Sequence, residues 1–162
     1  MTLVSAPECY GKSTLISSWL ELIKCPTAWI SPDEYDNNLG AFLSYFIAAI
    51  QSIFPQTLAD TQALLNAPEL APLRYLSGSL INELNAIGED YILVLDDYHY
   101  ILETSIHDLL DEMFRHTPRV LHLVIGPRTD PTISLAELRA RWHVIGNVRR
   151  ELVMLRSIIT IR

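Results

Sequence analysis

One stretch constrains the fold of this chain most. It is a short apolar run that is followed by a tight turn and then by a helix. The run covers residues 2–6 and the turn residues 7–11, while apolar side chains at helical spacing continue from Lys12 to Ile23. The turn ends in Gly-Lys-Ser-Thr, the ending of a phosphate-binding loop, although Ala6 stands where the first glycine of that pattern is expected. A strand, a loop and a helix in this order predict an anion site at the helix N-terminus.

Each residue type in the loop suits the binding of a nucleotide phosphate. Gly11 lets the backbone approach a phosphate closely, Lys12 carries a mobile positive charge, and the Ser13 hydroxyl can complete the coordination shell of Mg²⁺. The alternative interpretation is a chance Gly-Lys-Ser match in a surface turn. We predict a phosphate-binding (Walker A) loop made of Ala6, Pro7, Glu8, Cys9, Tyr10, Gly11, Lys12, Ser13 and Thr14.

The segment from Tyr91 to Asp97 is the clearest strand and ends in two carboxylates. Its continuous apolar run is typical of a strand buried on both faces of a parallel sheet. At the carboxyl end of such a strand, Asp96 could hold Mg²⁺ through a water molecule, as in a Walker B motif, and Asp97 could orient or deprotonate an attacking water. The alternative is that both residues only end the strand and cap the turn.

Arg128 follows the next apolar strand, at the sheet edge where ligands collect in open α/β folds. An arginine there can contact a γ-phosphate with two hydrogen bonds, although a salt bridge to Asp130 is nearly as favourable an explanation. The five histidines share no metal-ligand spacing, and we interpret them as surface or packing residues.

Strands and helices alternate along the chain, which predicts an open α/β sheet with right-handed crossovers. Residues 55–72 have weak periodicity and predict a loop with room for one helical turn, and Thr104 or Ser105 is expected to cap a helix. The predicted strands are 2–6, 27–31, 91–97 and 120–125, and the predicted helices are 12–24, 39–53, 73–87, 104–116 and 134–142.

Composition excludes several classes of protein. The 162 residues fit one domain, and a net charge of −7 gives no electrostatic basis for direct contact with nucleic acid or an anionic membrane. The longest apolar patch, residues 42–54, is too short to span a bilayer, and two cysteines form no disulfide framework. We therefore expect a cytoplasmic protein.

Four motifs in order resemble the nucleotide-binding domain of the MalT-like, LuxR-type transcriptional regulators, which are NB-ARC-like, STAND-class P-loop NTPases. The resemblance covers residues 2–141 and rests on residues 3–15, on Ala28-Trp-Ile-Ser31, on Ile92-Leu-Val-Leu-Asp-Asp-Tyr-His99 and on residues 121–141. It implies a three-layer α/β/α sandwich with a mostly parallel central sheet, and a switch that binds ATP and Mg²⁺ and hydrolyses ATP slowly if at all. In that switch Lys12 and Ser13 would contact phosphate and metal, Asp96 the metal, Asp97 the hydrolytic water, and Arg128 would sense the γ-phosphate.

The chain departs from the family pattern at several positions. Glu8 and Cys9 replace a small residue and a glycine in the loop, and Gly126 and Pro127 replace a small residue and serine before Arg128. Residues 1–142 are expected to form the nucleotide-binding core, and residues 143–162 a divergent tail that could add a last strand. Because family members are long proteins that continue into a winged helix, a repeat region and a helix-turn-helix, we expect a truncated member.

Two alternative functions remain at this stage. One is a P-loop phosphotransferase acting on a small substrate, although residues 55–72 contain none of the arginines that a closing lid would need. The other is a non-catalytic remnant that serves as an interaction module. For the switch, ATP and ADP are the expected partners, and nucleotide-dependent association between copies of the chain is a further expectation.

Overall fold

Parallel strands form the centre of the protein. The computed structural model describes residues 2–5, 12–116, 118–126 and 159–160. In these residues five strands form one sheet in the order β2-β3-β4-β1-β5, and every neighbouring pair is parallel. The strands are β1 (Thr2–Ser5), β2 (Thr27–Ile30), β3 (Tyr91–Asp96), β4 (Leu121–Gly126) and β5 (Ile159–Thr160).

Helices connect these strands, and four of them have bounds close to those predicted. They are α1 (Lys12–Ile23), α2 (Leu39–Ile53), α3 (Ala59–Leu65), α4 (Leu73–Ala86) and α5 (Thr104–Arg115), together with 3₁₀ turns at Glu34–Asp36 and Tyr98–Tyr100. The predicted helix 134–142 lies outside the described residues. So does most of the predicted tail, and the division of the chain at residue 142 stays a prediction.

The strand order explains why helices cover both faces of the sheet. From β1 the chain passes over two strand positions to β2, and it then returns in the opposite direction through β3 to β4. The connections β1–β2, β2–β3 and β3–β4 are all expected to be right-handed crossovers. The reversal of direction therefore places the helices after β2 on the opposite face from α1. The result is three layers of helix, sheet and helix, which confirms the predicted fold class.

The buried side chains of β3 show both interfaces. Ile92 and Val94 pack with Ile16 of α1 on one face, whereas Leu93 and Leu95 belong to the larger cluster formed with α2, α4 and α5 on the other. All six residues of β3 are buried, as the continuous apolar run predicted. Burying such a strand stabilises the sheet by the usual 25 cal/mol per Å² or so of apolar surface.

Residues 55–72 contain more helix than the single turn predicted, because α3 has seven residues. Its N-terminal backbone groups are satisfied by a residue distant in sequence: the Glu83 carboxylate of α4 accepts hydrogen bonds from the backbone N–H groups of Asp60 (3.0 Å) and Thr61 (2.9 Å). A carboxylate at a helix N-terminus also interacts favourably with the helix dipole. Local periodicity could not reveal a helix whose cap is supplied by another helix.

The predicted cap of α5 was also wrong. Glu103 occupies the N-cap position and makes no side-chain capping bond, while the backbone N–H groups of Leu102 and Glu103 donate to Oδ1 of Asn37, at 2.9 and 2.8 Å. Asn37 lies in the segment that follows β2. The start of α5 is therefore held by a neighbouring loop instead of by Thr104 or Ser105.

The strand register brings the carboxyl ends of three strands to one edge of the sheet. Asp96 of β3 is opposite Gly126 of β4, and Ile125 is opposite Leu3 of β1. The chain leaves β1 at this edge, immediately before the predicted phosphate-binding loop. Among the helices described, none has the length and apolar character needed to cross a membrane.

Candidate functional site

One hydrogen bond joins the two motifs that the sequence singled out. The Ser13 hydroxyl donates to Oδ2 of Asp96 at 2.6 Å, across 83 positions of sequence. Ser13 is the second residue of α1 and Asp96 the last of β3, and β4 lies between β3 and β1 in the sheet. The fold thus brings the end of the predicted loop and the first predicted carboxylate into direct contact.

Asp96 is a nearly buried carboxylate with two hydrogen-bond donors. Only 3% of the residue is exposed. Its Oδ1 accepts from the backbone N–H of Asp97 at 3.0 Å, while Oδ2 accepts from Ser13. A carboxylate with so little access to water is costly unless hydrogen bonds or a cation compensate for the lost hydration. Two donors hold this one in place, at the carboxyl edge of the sheet.

The N-terminus of α1 lies beside this carboxylate. The helix has twelve residues, begins at Lys12 and has no acidic residue in its first turn. It is fixed to the sheet by Ile16, which is 2% exposed and packs against Ile92, Val94 and Val124. Its first N–H groups have no partners within the helix, so this end can bind an anion.

Asp97 adopts an unusual backbone conformation. Its φ of 51° and ψ of 31° place it in the left-handed region, and its side chain is half-buried. Asp is one of the few residues other than glycine that occupy this region, at a cost of about 1–2 kcal/mol. The 3₁₀ turn of residues 98–100 begins directly after it. Residues held in such conformations cluster at functional sites.

The donor set at this edge fits Mg²⁺. The serine hydroxyl and the aspartate carboxylate both offer oxygen, and Mg²⁺ usually takes one or two protein oxygens together with phosphate oxygens and water. In the described part of the chain no three His, Cys, Asp or Glu residues come together as a metal site. The arrangement therefore suits a metal that arrives with a nucleotide better than one held by protein alone.

Several predicted residues lie outside the described structure. These are Ala6, Pro7, Glu8, Cys9, Tyr10 and Gly11 of the loop, and Arg128. For Lys12 and Thr14 the structure gives positions in the first turn of α1. The roles of all these residues stay predictions.

Sequence reasoning missed one contact next to the site. The hydroxyl of Tyr98 and Nδ1 of His107 form a hydrogen bond of 2.5 Å, and their rings meet edge to face. From the sequence, His107 is expected to be only a surface or packing residue. In the structure it also has a polar partner, the Tyr98 hydroxyl. The nine-residue separation crosses from the 3₁₀ turn into α5, so no local pattern signals the pair.

Comparison with known proteins supports the resemblance found in the sequence. No protein-family model matches the chain. Over 145 residues, or 90% of the chain, it is 38% identical to the HTH-type transcriptional regulator MalT of Klebsiella pneumoniae, of Cronobacter sakazakii and of Yersinia pestis. The chain spans 16% of the length of each of these relatives.

A solved structure supports the fold. Cdc6p from Pyrobaculum aerophilum aligns with a TM-score of 0.57 and 17% sequence identity, over 88% of this chain and 37% of that protein. At this identity the match shows the P-loop α/β fold alone. Together with the sequence relatives, it confirms the expected resemblance to a MalT-like P-loop NTPase domain.

Proposed function

Because this chain is similar to MalT-type regulators over 90% of its residues and has a P-loop α/β fold, we propose that it is a nucleotide-binding switch domain. In this proposal it binds Mg-ATP in the cytoplasm, as part of the control of a transcription regulator. The bound γ-phosphate sets the conformation of the domain, as in other nucleotide switches. Direct contact with DNA is not part of the role of these residues, since the chain is acidic.

The contact between Ser13 and Asp96 is the observation that carries this proposal. A hydroxyl at the start of a helix and a carboxylate at the end of a buried parallel strand are the protein groups that accompany Mg²⁺ in P-loop proteins. Here they lie 2.6 Å apart although 83 positions separate them. If Gly-Lys-Ser were a chance match in a surface turn, there would be no reason for Ser13 to contact Asp96, which was selected from a separate motif.

The other phosphate contacts follow from the helix that begins beside this pair. The α1 N-terminus would supply N–H groups that have no acceptor within the helix, and Lys12 would add a positive charge for the β- and γ-phosphates. The residues of the loop from Ala6 to Gly11, together with Thr14, would surround the phosphates. When bound, Mg²⁺ would neutralise part of the phosphate charge, with Ser13 and Asp96 as its protein partners.

Slow hydrolysis would use Asp97 and Arg128. A water molecule would attack the γ-phosphorus, the bond to the oxygen of ADP would break, and Asp97 would accept the proton of the water. Arg128 would contact the γ-phosphate and lose that contact when phosphate leaves. Nucleotide-dependent association between copies of the chain would then be one consequence of the switch.

The structure gives no support to a phosphotransferase with a lid in residues 55–72. That segment contains α3, whose Thr61 is fully buried and whose N-terminus is bound by Glu83 of α4. A helix fixed in this way is part of the core layer. The proposed switch needs no such lid.

Titration calorimetry tests the proposal. We expect the folded chain to bind Mg-ATP in the micromolar range, and Lys12→Ala to abolish the binding heat because the phosphates lose their main cation. Ser13→Ala should weaken binding in Mg²⁺ more than in EDTA. Ser17→Ala is the matched control, because Ser17 is an exposed serine one helical turn further along α1.

Circular dichroism must show that each variant is folded. No binding heat for ATP or ADP with the folded wild-type chain would refute the proposal. Equal affinities for the wild type and Lys12→Ala would show that nucleotide binds elsewhere.

A further inference from the structure

The turn that carries Asp97 is attached to α5 by a specific side-chain pair. Tyr98, the next residue, is 6% exposed, and its hydroxyl bonds to Nδ1 of His107 at 2.5 Å. His107 lies in the first turn of α5 and is half-buried. Buried phenols usually have a hydrogen-bond partner, and the partner of Tyr98 belongs to a different element, the helix α5.

Two backbone hydrogen bonds close the turn. The N–H of Tyr100 donates to the carbonyl of Asp97, and that of Ile101 donates to the carbonyl of Tyr98, both at 3.1 Å. These bonds are local to the 3₁₀ turn. The left-handed conformation of Asp97 is unfavourable in isolation, so it depends on surroundings that hold the turn in one position.

The start of α5 is itself fixed to the rest of the sheet edge. Asn37, from the loop after β2, accepts the backbone N–H groups of Leu102 and Glu103. The helix that presents His107 is therefore tied to a second loop at the same edge. Tyr98 and His107 thus connect the backbone next to Asp97 to a supported helix.

We propose that Tyr98 and His107 are positioning residues for the carboxylate of Asp97, so that their hydrogen bond is needed for ATP hydrolysis but not for ATP binding. This inference rests on the proposed function. Neither residue contacts phosphate in this role; Tyr98 restrains the backbone of Asp97, and His107 restrains Tyr98. Binding depends instead on Lys12, Ser13 and Asp96, which lie before the turn.

Conservative substitutions separate positioning from simple packing. Tyr98→Phe keeps the ring and removes only the hydroxyl, and His107→Leu removes the ring nitrogen. His107→Asn places an amide oxygen close to the position of Nδ1 and can keep the bond. Tyr45→Phe is the matched control, because Tyr45 lies on α2 and is 54% exposed.

The experiment measures single-turnover hydrolysis of Mg-ATP and, separately, the Kd of Mg-ATP, at a temperature where every variant is folded. Small misplacements of a reacting group can cost up to about a hundredfold in rate, so we expect Tyr98→Phe and His107→Leu to lower the rate by at least about tenfold. Their Kd should stay within about twofold of wild type, a change worth less than one hydrogen bond. His107→Asn should restore most of the rate.

The possible outcomes separate a failure of this inference from a failure of the proposed function on which it rests. Equal hydrolysis rates in Tyr98→Phe and wild type would overturn the positioning role while leaving the nucleotide switch intact. So would binding without any hydrolysis by the wild-type chain, or failure of His107→Asn to rescue a defect seen in His107→Leu. Failure of the wild type to bind Mg-ATP would instead refute the proposed function itself.

Discussion

Replacing Asp96 should separate the stability of the fold from its affinity for Mg-nucleotide. In Asp96→Asn the amide oxygen can still accept from the N–H of Asp97, and the amide N–H can donate to the Ser13 hydroxyl. The side chain at position 96 therefore still makes two hydrogen bonds, to the same two partners. The substitution removes a negative charge from a residue that is only 3% exposed.

The energies follow from these contacts. Removing a buried charge without losing hydrogen bonds is often neutral or stabilising, so Asp96→Asn should change the free energy of unfolding by less than about 1 kcal/mol. Asp96→Ala loses both bonds and should destabilise the protein by about 1–3 kcal/mol. Loss of a group that orients a metal typically costs about 10–100-fold in metal affinity. Both variants should therefore lose most of the gain in ATP affinity that Mg²⁺ gives.

Two assays check this pattern. Urea unfolding measures stability, and titration of ATP in the presence of Mg²⁺ or of EDTA measures the contribution of the metal. We predict that Asp96→Asn has the stability of the wild type but a lower ratio of the ATP affinity in Mg²⁺ to the ATP affinity in EDTA. A variant that kept the wild-type ratio would show that Asp96 does not serve a metal, and the reasoning would fail.

Two further predictions concern stability. Glu83→Ala should lower the free energy of unfolding by about 2–3 kcal/mol in urea denaturation, since the N–H groups of Asp60 and Thr61 lose a charged acceptor, whereas the exposed Glu89→Ala should change it by less than about 0.5 kcal/mol. Burial lowers the pKa of His122 to about 4, so above pH 6.5 the side chain is neutral in both states, and between pH 6.5 and 4 only the unfolded chain takes up the proton. Stability should therefore fall by up to about 3 kcal/mol over that range, and His122→Gln should flatten the dependence; an unchanged pH profile in the variant would contradict this.

The sequence predicted most of the fold because its strongest signals are local. The first five residues of β3, Tyr91 to Leu95, form one uninterrupted apolar run. Helix α2 covers the predicted residues 39–53 because Asn38 caps its start and Pro55 follows it closely. Patterns of this kind record burial along a single element. They were enough to predict an α/β fold before any contact between elements was known.

Contacts between distant residues could not be predicted in the same way. Glu83 caps α3 from another helix, and Asn37 binds the segment before α5 from another loop. Neither pair is marked by spacing or residue type. For this reason the sequence underestimated the length of the helix in residues 59–65 and did not reveal what holds the start of α5.

The candidate site shows both sides of this limit. Ser13 and Asp96 were selected from separate motifs, and the structure brings them together. The link between Tyr98 and His107 depends on how α5 packs beside the turn, which no motif encodes. Site residues that belong to motifs found in many proteins can be predicted from sequence. The contacts that support them in this chain can be identified only from the fold.

Locating the bound metal would test the central claim most directly. With Mn²⁺-ATP in place of Mg-ATP, the paramagnetic ion should broaden the backbone amide signals of Ser13 and Asp97 in nuclear magnetic resonance spectra. The amide of Tyr91 should be much less affected. Tyr91 lies at the opposite end of β3, about 17 Å from Asp96 along the strand. Binding of Mn²⁺-ATP that leaves Ser13 and Asp97 sharp would contradict the account.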